Sequence, residues 1–147
     1  MFEDPFDDSY FMRKALDQAR MGFDAGEVPV GAVIVAKNQV IGSGHNLTER
    51  LTDVTAHAEM QAITAAANYL GGKYLTGCTL YVTLEPCQMC AGALYWSQIS
   101  RVVYAASDPK RGFKTMGGSL HPKTILEKGP FAEESEALLK LFFSQRR

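Results

Sequence analysis

Three cysteines, too few for the disulfide frameworks that staple small secreted domains, are all that this chain carries. No apolar stretch approaches the ~18 residues of a membrane span. The opening residues, Met-Phe-Glu-Asp-Pro, are acidic and lack the basic-then-apolar layout of a secretory leader. A reducing, cytoplasmic setting is expected. Internal repeats and low-complexity tracts are absent too, which excludes solenoids and disordered linkers, so the 147 residues with 46% hydrophobic content read as one domain over 1–147. An excess of one charge is also missing. The formal net charge of -1 gives no sign of a nucleic-acid partner, but its distribution is uneven. Residues 1–100 hold 6 Lys/Arg against 11 Asp/Glu, and residues 101–147 hold 9 against 5, making the final third a candidate phosphate-facing surface or simply a solvated basic face.

What is present begins with an amphipathic stretch over residues 9–22, with Phe11, Met12, Ala15, Leu16 and Ala19 on one stripe, expected to be a helix that ends at Gly22 and covers a sheet. Residues 28–36 are apolar and β-branched, Lys37-Asn38-Gln39 is a turn, and Val40-Ile41 resumes the strand: a hairpin, loosened at Gly42-Ser43-Gly44. A polar loop leads to an alanine-rich helix from about 56 to 70, closed by Gly71-Gly72. Residues 79–84, Thr-Leu-Tyr-Val-Thr-Leu, form a strand broken by Glu85-Pro86, with Pro at a first helical position of the helix that runs from Cys87 to about Gln98. Residues 101–105 form a further strand, 107–122 a loop or broken helix, 124–127 a short strand and 132–145 a closing helix whose Arg146-Arg147 complement its dipole. The β-α-β-α-β alternation predicts parallel neighbours, with the two helices starting at one edge of the sheet.

Chemistry concentrates at that edge. Cys87 and Cys90, three apart, share one face if they lie in the first turn of a helix, and a helix N-terminus favours the thiolate that binds metal. Such a pair alone could be a redox couple or plain core. His57 supplies a third ligand, and Cys78, at the far end of the strand, supplies no fourth; it reads as a small buried hydrophobe. Sulfur plus imidazole selects zinc, and three protein ligands rather than four mark a catalytic zinc. Glu59 stands two residues after His57, reaching over the same helix end, where a general base belongs. His-x-Glu followed by Pro-Cys-x-x-Cys is the signature of zinc nucleobase deaminases. Asn46 offers an amide that suits a base edge, or a turn residue bonding its own backbone.

Three strings taken together carry a fuller resemblance: Val28-Pro29-Val30-Gly31-Ala32, His57-Ala58-Glu59, and Leu80-Tyr81-Val82-Thr83-Leu84-Glu85-Pro86-Cys87-Gln88-Met89-Cys90-Ala91-Gly92-Ala93. Over most of residues 9–107 and again at the closing helix, the chain resembles the bacterial tRNA-specific adenosine deaminases. The resemblance implies an α/β fold of three layers, α/β/α and cytidine deaminase-like, around a five-stranded mixed sheet. It implies one zinc ion per chain on His57, Cys87 and Cys90, with Glu59 as proton shuttle. Asn46 is expected to touch the base, Val30 to line its pocket and Asp108 to contact the preceding nucleotide. The implied reaction converts the wobble adenosine of an arginine tRNA to inosine, in an anticodon loop, by a homodimer. The departure from the family lies in residues 109–123, where this chain has Pro109-Lys110-Arg111-Gly112-Phe113-Lys114 and a short Ser119-Leu120-His121-Pro122. Two other functions share the motif: deamination of a free base or nucleoside, guanine or cytosine, and a non-catalytic zinc module that binds RNA or a protein.

Overall fold

A computed structural model describes residues 5–146; the acidic opening residues 1–4 and the role of Arg147 at the last helix end lie outside the described residues. The first helix, α1 (Asp8–Asp24), starts where Asp7 caps it by accepting the Tyr10 N–H at 2.9 Å, and it runs two residues beyond Gly22. Its apolar stripe is buried as expected, Phe11, Met12, Ala15, Leu16 and Ala19 being 2% exposed or less.

The hairpin comprises β1 (Gly31–Ala36) and β2 (Gln39–His45), so residues 28–30 precede the strand. Its turn has two residues, Lys37 and Asn38, both in the left-handed region at φ 50° and 62°, the backbone that matches strand twist in a tight hairpin. Contrary to expectation, Gly42 and Gly44 do not loosen the strand's end. They let α2 (Ala58–Leu70) approach closely: a Cβ on Gly42 would lie 2.5 Å from the Ala62 carbonyl oxygen, and one on Gly44 would lie 2.5 Å from Gln61 Cβ.

The remaining elements are β3 (Thr79–Leu84), α3 (Gln88–Ser97), β4 (Arg101–Ala106), the single turn α4 (Phe113–Met116), β5 (Ile125–Lys128) and α5 (Ala132–Ser144). The sheet order is β2-β1-β3-β4-β5. Neighbours β3, β4 and β5 are parallel, as the alternation predicts, but β1 is antiparallel to both β2 and β3. The hairpin inserts β1 between β2 and β3, so the β2–α2–β3 crossover spans a strand. β2 and β3 still point the same way, and the helices that follow them begin at one edge.

Alternate residues divide between two cores. Ala32, Ile34, Leu80, Val82, Val102 and Tyr104 pack with Ala58, Ala62 and Ala66 of α2 and Leu94 of α3. Val33, Val35, Tyr81, Val103 and Ala105 meet Phe11, Met12 and Ala15 of α1. This is the three-layer mixed-sheet architecture expected. At the end of the sheet where β4 begins, Arg101 ties the layers: its guanidinium donates to Asp8 at 2.8 Å and to Glu127 at 2.6 Å, and Tyr81 Oη donates to Asp8 at 2.8 Å.

Candidate active site

The opposite sheet edge brings two helix N-termini together. The cap positions there, usually Ser, Thr, Asp or Asn, are held by His57 for α2 and Cys87 for α3, and neither side chain makes a capping bond. Both point over their helix ends instead, toward each other. Pro86 therefore lies one residue before the cap rather than at the first helical position. Cys87 Sγ and Cys90 Sγ each lie 3.5 Å from His57 Nδ1, and the three ligand atoms fall within 4.8 Å of one another.

A tetrahedral ion with bonds of ~2.3 Å to sulfur and ~2.0 Å to nitrogen would hold its sulfur and nitrogen ligands about 3.5 Å apart, the separation found. Electrostatics agree. The hydrogen bond from Cys90, together with His57, drives the Cys87 thiol down to about 4. Cys90 moves the other way, held well above the usual thiol range by Cys87, burial and the charge of Glu59. His57 is raised, chiefly by its bond with Cys87. Two sulfurs and an imidazole in this arrangement are a donor set that fits zinc. Cys78 lies apart, 1% exposed, its thiol raised by burial alone.

Glu59 sits in the first turn of α2 and is 4% exposed. Burial pushes its carboxyl up to about 7, against the opposing pull of its own backbone amide and of His57. A buried carboxyl near neutrality is suited to both accepting and returning protons.

Asn46 neither floats in a turn nor bonds its own backbone. Its Nδ2 donates to the Val28 carbonyl at 3.0 Å, and its Oδ1 accepts the Ala58 N–H at 2.8 Å. It thus supplies from twelve residues upstream a bond for a helix amide that His57 leaves uncapped. One amide hydrogen and one lone pair remain. Val30 is nearly enclosed, 6% exposed, in the core under α2. Asp108 follows β4 and is half-buried; its Oδ1 accepts the N–H groups of Lys110 at 3.2 Å and Arg111 at 3.0 Å.

Two carboxylates went unassigned in the sequence because charge ordinarily signals a solvated face. Glu27, 1% exposed, accepts the N–H groups of Glu49 at 3.0 Å and Arg50 at 2.9 Å and so fixes the loop between β2 and α2. Glu85, 5% exposed, accepts those of Asp108 at 3.1 Å and Lys114 at 3.2 Å, and so holds the segment after β4. Gly112 of that segment forms an isolated bridge with Cys87. Of the basic residues there, Lys110, Arg111 and Lys114 are all exposed, and Lys114 also donates to Tyr104 Oη at 2.6 Å. No described helix is long and apolar enough to cross a membrane.

Comparison with known proteins agrees with this geometry. The family model of the cytidine and deoxycytidylate deaminase zinc-binding region matches residues 5–106. The tRNA-specific adenosine deaminase of Aquifex aeolicus is 46% identical over 144 residues, covering 94% of this chain and 95% of the relative. A solved structure from studies of A-to-I editing by tRNA:A34 deaminases superposes with a TM-score of 0.82 at 40% identity, covering 88% of this chain and 99% of that one. The guanine deaminase of Bacillus subtilis superposes with a TM-score of 0.66 at 42% identity, over 69% of this chain and 65% of that one. By sequence, by fold and by the arrangement of His57, Cys87 and Cys90, the chain belongs to the cytidine and deoxycytidylate deaminase zinc-binding family, where it groups with the tRNA-specific adenosine deaminases.

Proposed function

We propose that this protein hydrolyses the wobble adenosine of a tRNA anticodon loop to inosine, with His57, Cys87 and Cys90 holding one zinc ion and Glu59 moving the protons. The observation that carries this reading is the convergence of one imidazole, two sulfurs and a buried carboxyl between two helix N-termini, in a chain 46% identical to a tRNA-specific adenosine deaminase. When bound, zinc acidifies a water ligand and so supplies a nucleophile near neutral pH. Glu59 accepts a proton from the attacking water at a carboxylate oxygen and passes it to N1 of the adenine, then takes the remaining proton from the oxygen now bonded to C6 and delivers it to the departing amine. The water oxygen replaces the amine at C6, and ammonia leaves. Asn46 touches the base with its remaining amide hydrogen and lone pair, Val30 lines the pocket floor, and Asp108 contacts the nucleotide before the target. An anticodon loop suits such a site because its bases already stand clear of a duplex.

The protein acts as a homodimer in the cytoplasm in this reading. Tyr69, Leu70 and Tyr74 around the end of α2, with Trp96 of α3 at 76% exposure, supply apolar surface on the layer that carries the site. Deamination of a free purine is the second reading, favoured by the likeness to guanine deaminase. One experiment separates them. Purified zinc-loaded protein is incubated with unfractionated tRNA, and in parallel with guanine, adenosine and cytidine, while inosine and ammonia are measured. Inosine in tRNA, with activity falling steeply as salt rises, supports the proposal. Ammonia from the free bases alone transfers the function to the second reading, and none from any substrate leaves a non-catalytic zinc module.

A further inference from the structure

We propose that Glu85 is a positioning residue for the substrate: its carboxylate sets the path of residues 108–114 and thereby places Asp108, Lys110 and Arg111 beside the His57/Cys87/Cys90 site. This rests on the tRNA reading for its substrate, but not for its geometry. The residue was legible in the sequence only as the end of a strand.

Glu85 follows β3 and is 5% exposed, yet among the described residues no lysine, arginine or histidine side chain forms an ion pair with it. A buried carboxylate without a counter-ion must be satisfied by hydrogen bonds, and it receives them from backbone alone. Oε1 accepts the Asp108 N–H and Oε2 the Lys114 N–H, so one carboxylate grips both ends of a seven-residue segment. The segment is folded around that grip: Gly112 N–H donates to the Asp108 carbonyl at 2.9 Å and Phe113 N–H to the Pro86 carbonyl at 2.9 Å. Gly112 has to be glycine, because a Cβ there would collide with the Glu85 carboxylate and press on the Asp108 carbonyl. The same glycine bridges Cys87. The hub therefore connects a proposed metal ligand to the exposed tip that bears Lys110 and Arg111. Neither bond is short; the tip is fixed because one carboxylate holds both of its ends while Gly112 and Phe113 close the turn between them.

The test uses the zinc-loaded full chain with Glu85→Gln and Glu85→Ala. Hydrogen exchange at the amides of Asp108 and Lys114 should accelerate about tenfold or more, the equilibrium factor for one bond to a charged group, while amides of α2 and β3 keep their rates. Zinc should remain at one per chain. On an anticodon stem-loop, KM should rise by about the same factor and kcat should change far less. Unchanged exchange at both amides overturns the proposal. So does a loss confined to kcat, or a loss of zinc, either of which would place the action of Glu85 at the metal. Should Glu85→Ala fail to fold, Gly112→Ala, which keeps the carboxylate but drives the segment off it, must give the same exchange and KM pattern, and normal behaviour there overturns the proposal. A wild-type protein inactive on the stem-loop sinks the tRNA reading instead, and the exchange measurement then decides the placement of the segment by itself.

Discussion

Replacing Asn46 with alanine removes two hydrogen bonds at once and leaves both partners stranded. The Val28 carbonyl loses a donor at 3.0 Å and the Ala58 N–H loses an acceptor at 2.8 Å, at a residue only 9% exposed. An unsatisfied buried group costs about 1–3 kcal/mol. Water entering the space left by the amide recovers part of this, so the expected loss is about 2–4 kcal/mol. For a chain of this size each kcal/mol moves the midpoint by about 3–4 °C, a fall of roughly 6–16 °C. The assay is thermal or urea unfolding of wild type and variant at one fixed free zinc concentration, since a bound ion stabilises by mass action and would otherwise blur the comparison. Exchange at the Ala58 amide reports the same bond locally and should quicken. A loss under about 0.5 kcal/mol with Ala58 still protected would refute the idea that Asn46 braces the start of α2, and would leave its amide wholly to the base.

Glu59→Ala should keep stoichiometric zinc, read by metal analysis, while ammonia release falls by about 10²–10⁴-fold, the usual worth of a general acid–base; near-normal turnover would remove Glu59 from the chemistry. Gly44→Ala inserts a methyl 2.5 Å from Gln61 Cβ and 2.9 Å from the Ala58 carbonyl oxygen, so it should cost about 1–3 kcal/mol in urea unfolding and weaken zinc binding by displacing His57. Glu27 gives a pH signature. Burial raises its carboxyl, but the amides of Glu49 and Arg50, the Thr48 hydroxyl and His45 outweigh this and hold it below the ordinary 4.5. Its contribution is therefore complete above that value and lost as pH falls through the lower folded value, so wild type and Glu27→Gln should converge in stability toward pH 3 and diverge at pH 7.

How much of this was readable in advance depends on the physics behind each feature. The α1 stripe and β3 follow from periodicity and appear where expected, and His57, Cys87 and Cys90, singled out by their spacing, come together in space. The place of β1 does not: a hairpin followed by β-α-β alternation is equally consistent with either hairpin strand pairing with β3, and only packing decides. Gly42 and Gly44 look like flexible residues in a string, yet they serve close approach of α2, a property of two elements far apart in sequence. Glu27 and Glu85 were invisible because their partners are mainly backbone amides, which carry no sequence signature. The cap positions of His57 and Cys87 were hidden for a related reason, since neither residue type announces a helix start.

The interleaving of β1 between β2 and β3 reaches beyond architecture. His57 arrives by way of β2 and the cysteines by way of β3, so the ligands meet only after the hairpin has threaded its inner strand into the sheet in the correct register. A one-residue slip would exchange the residues that the hairpin sends to the two cores and carry the imidazole off its sulfurs. On the proposed zinc reading, a chain with its hairpin out of register would lack the three-residue group that holds the ion, so metal uptake would report correct assembly.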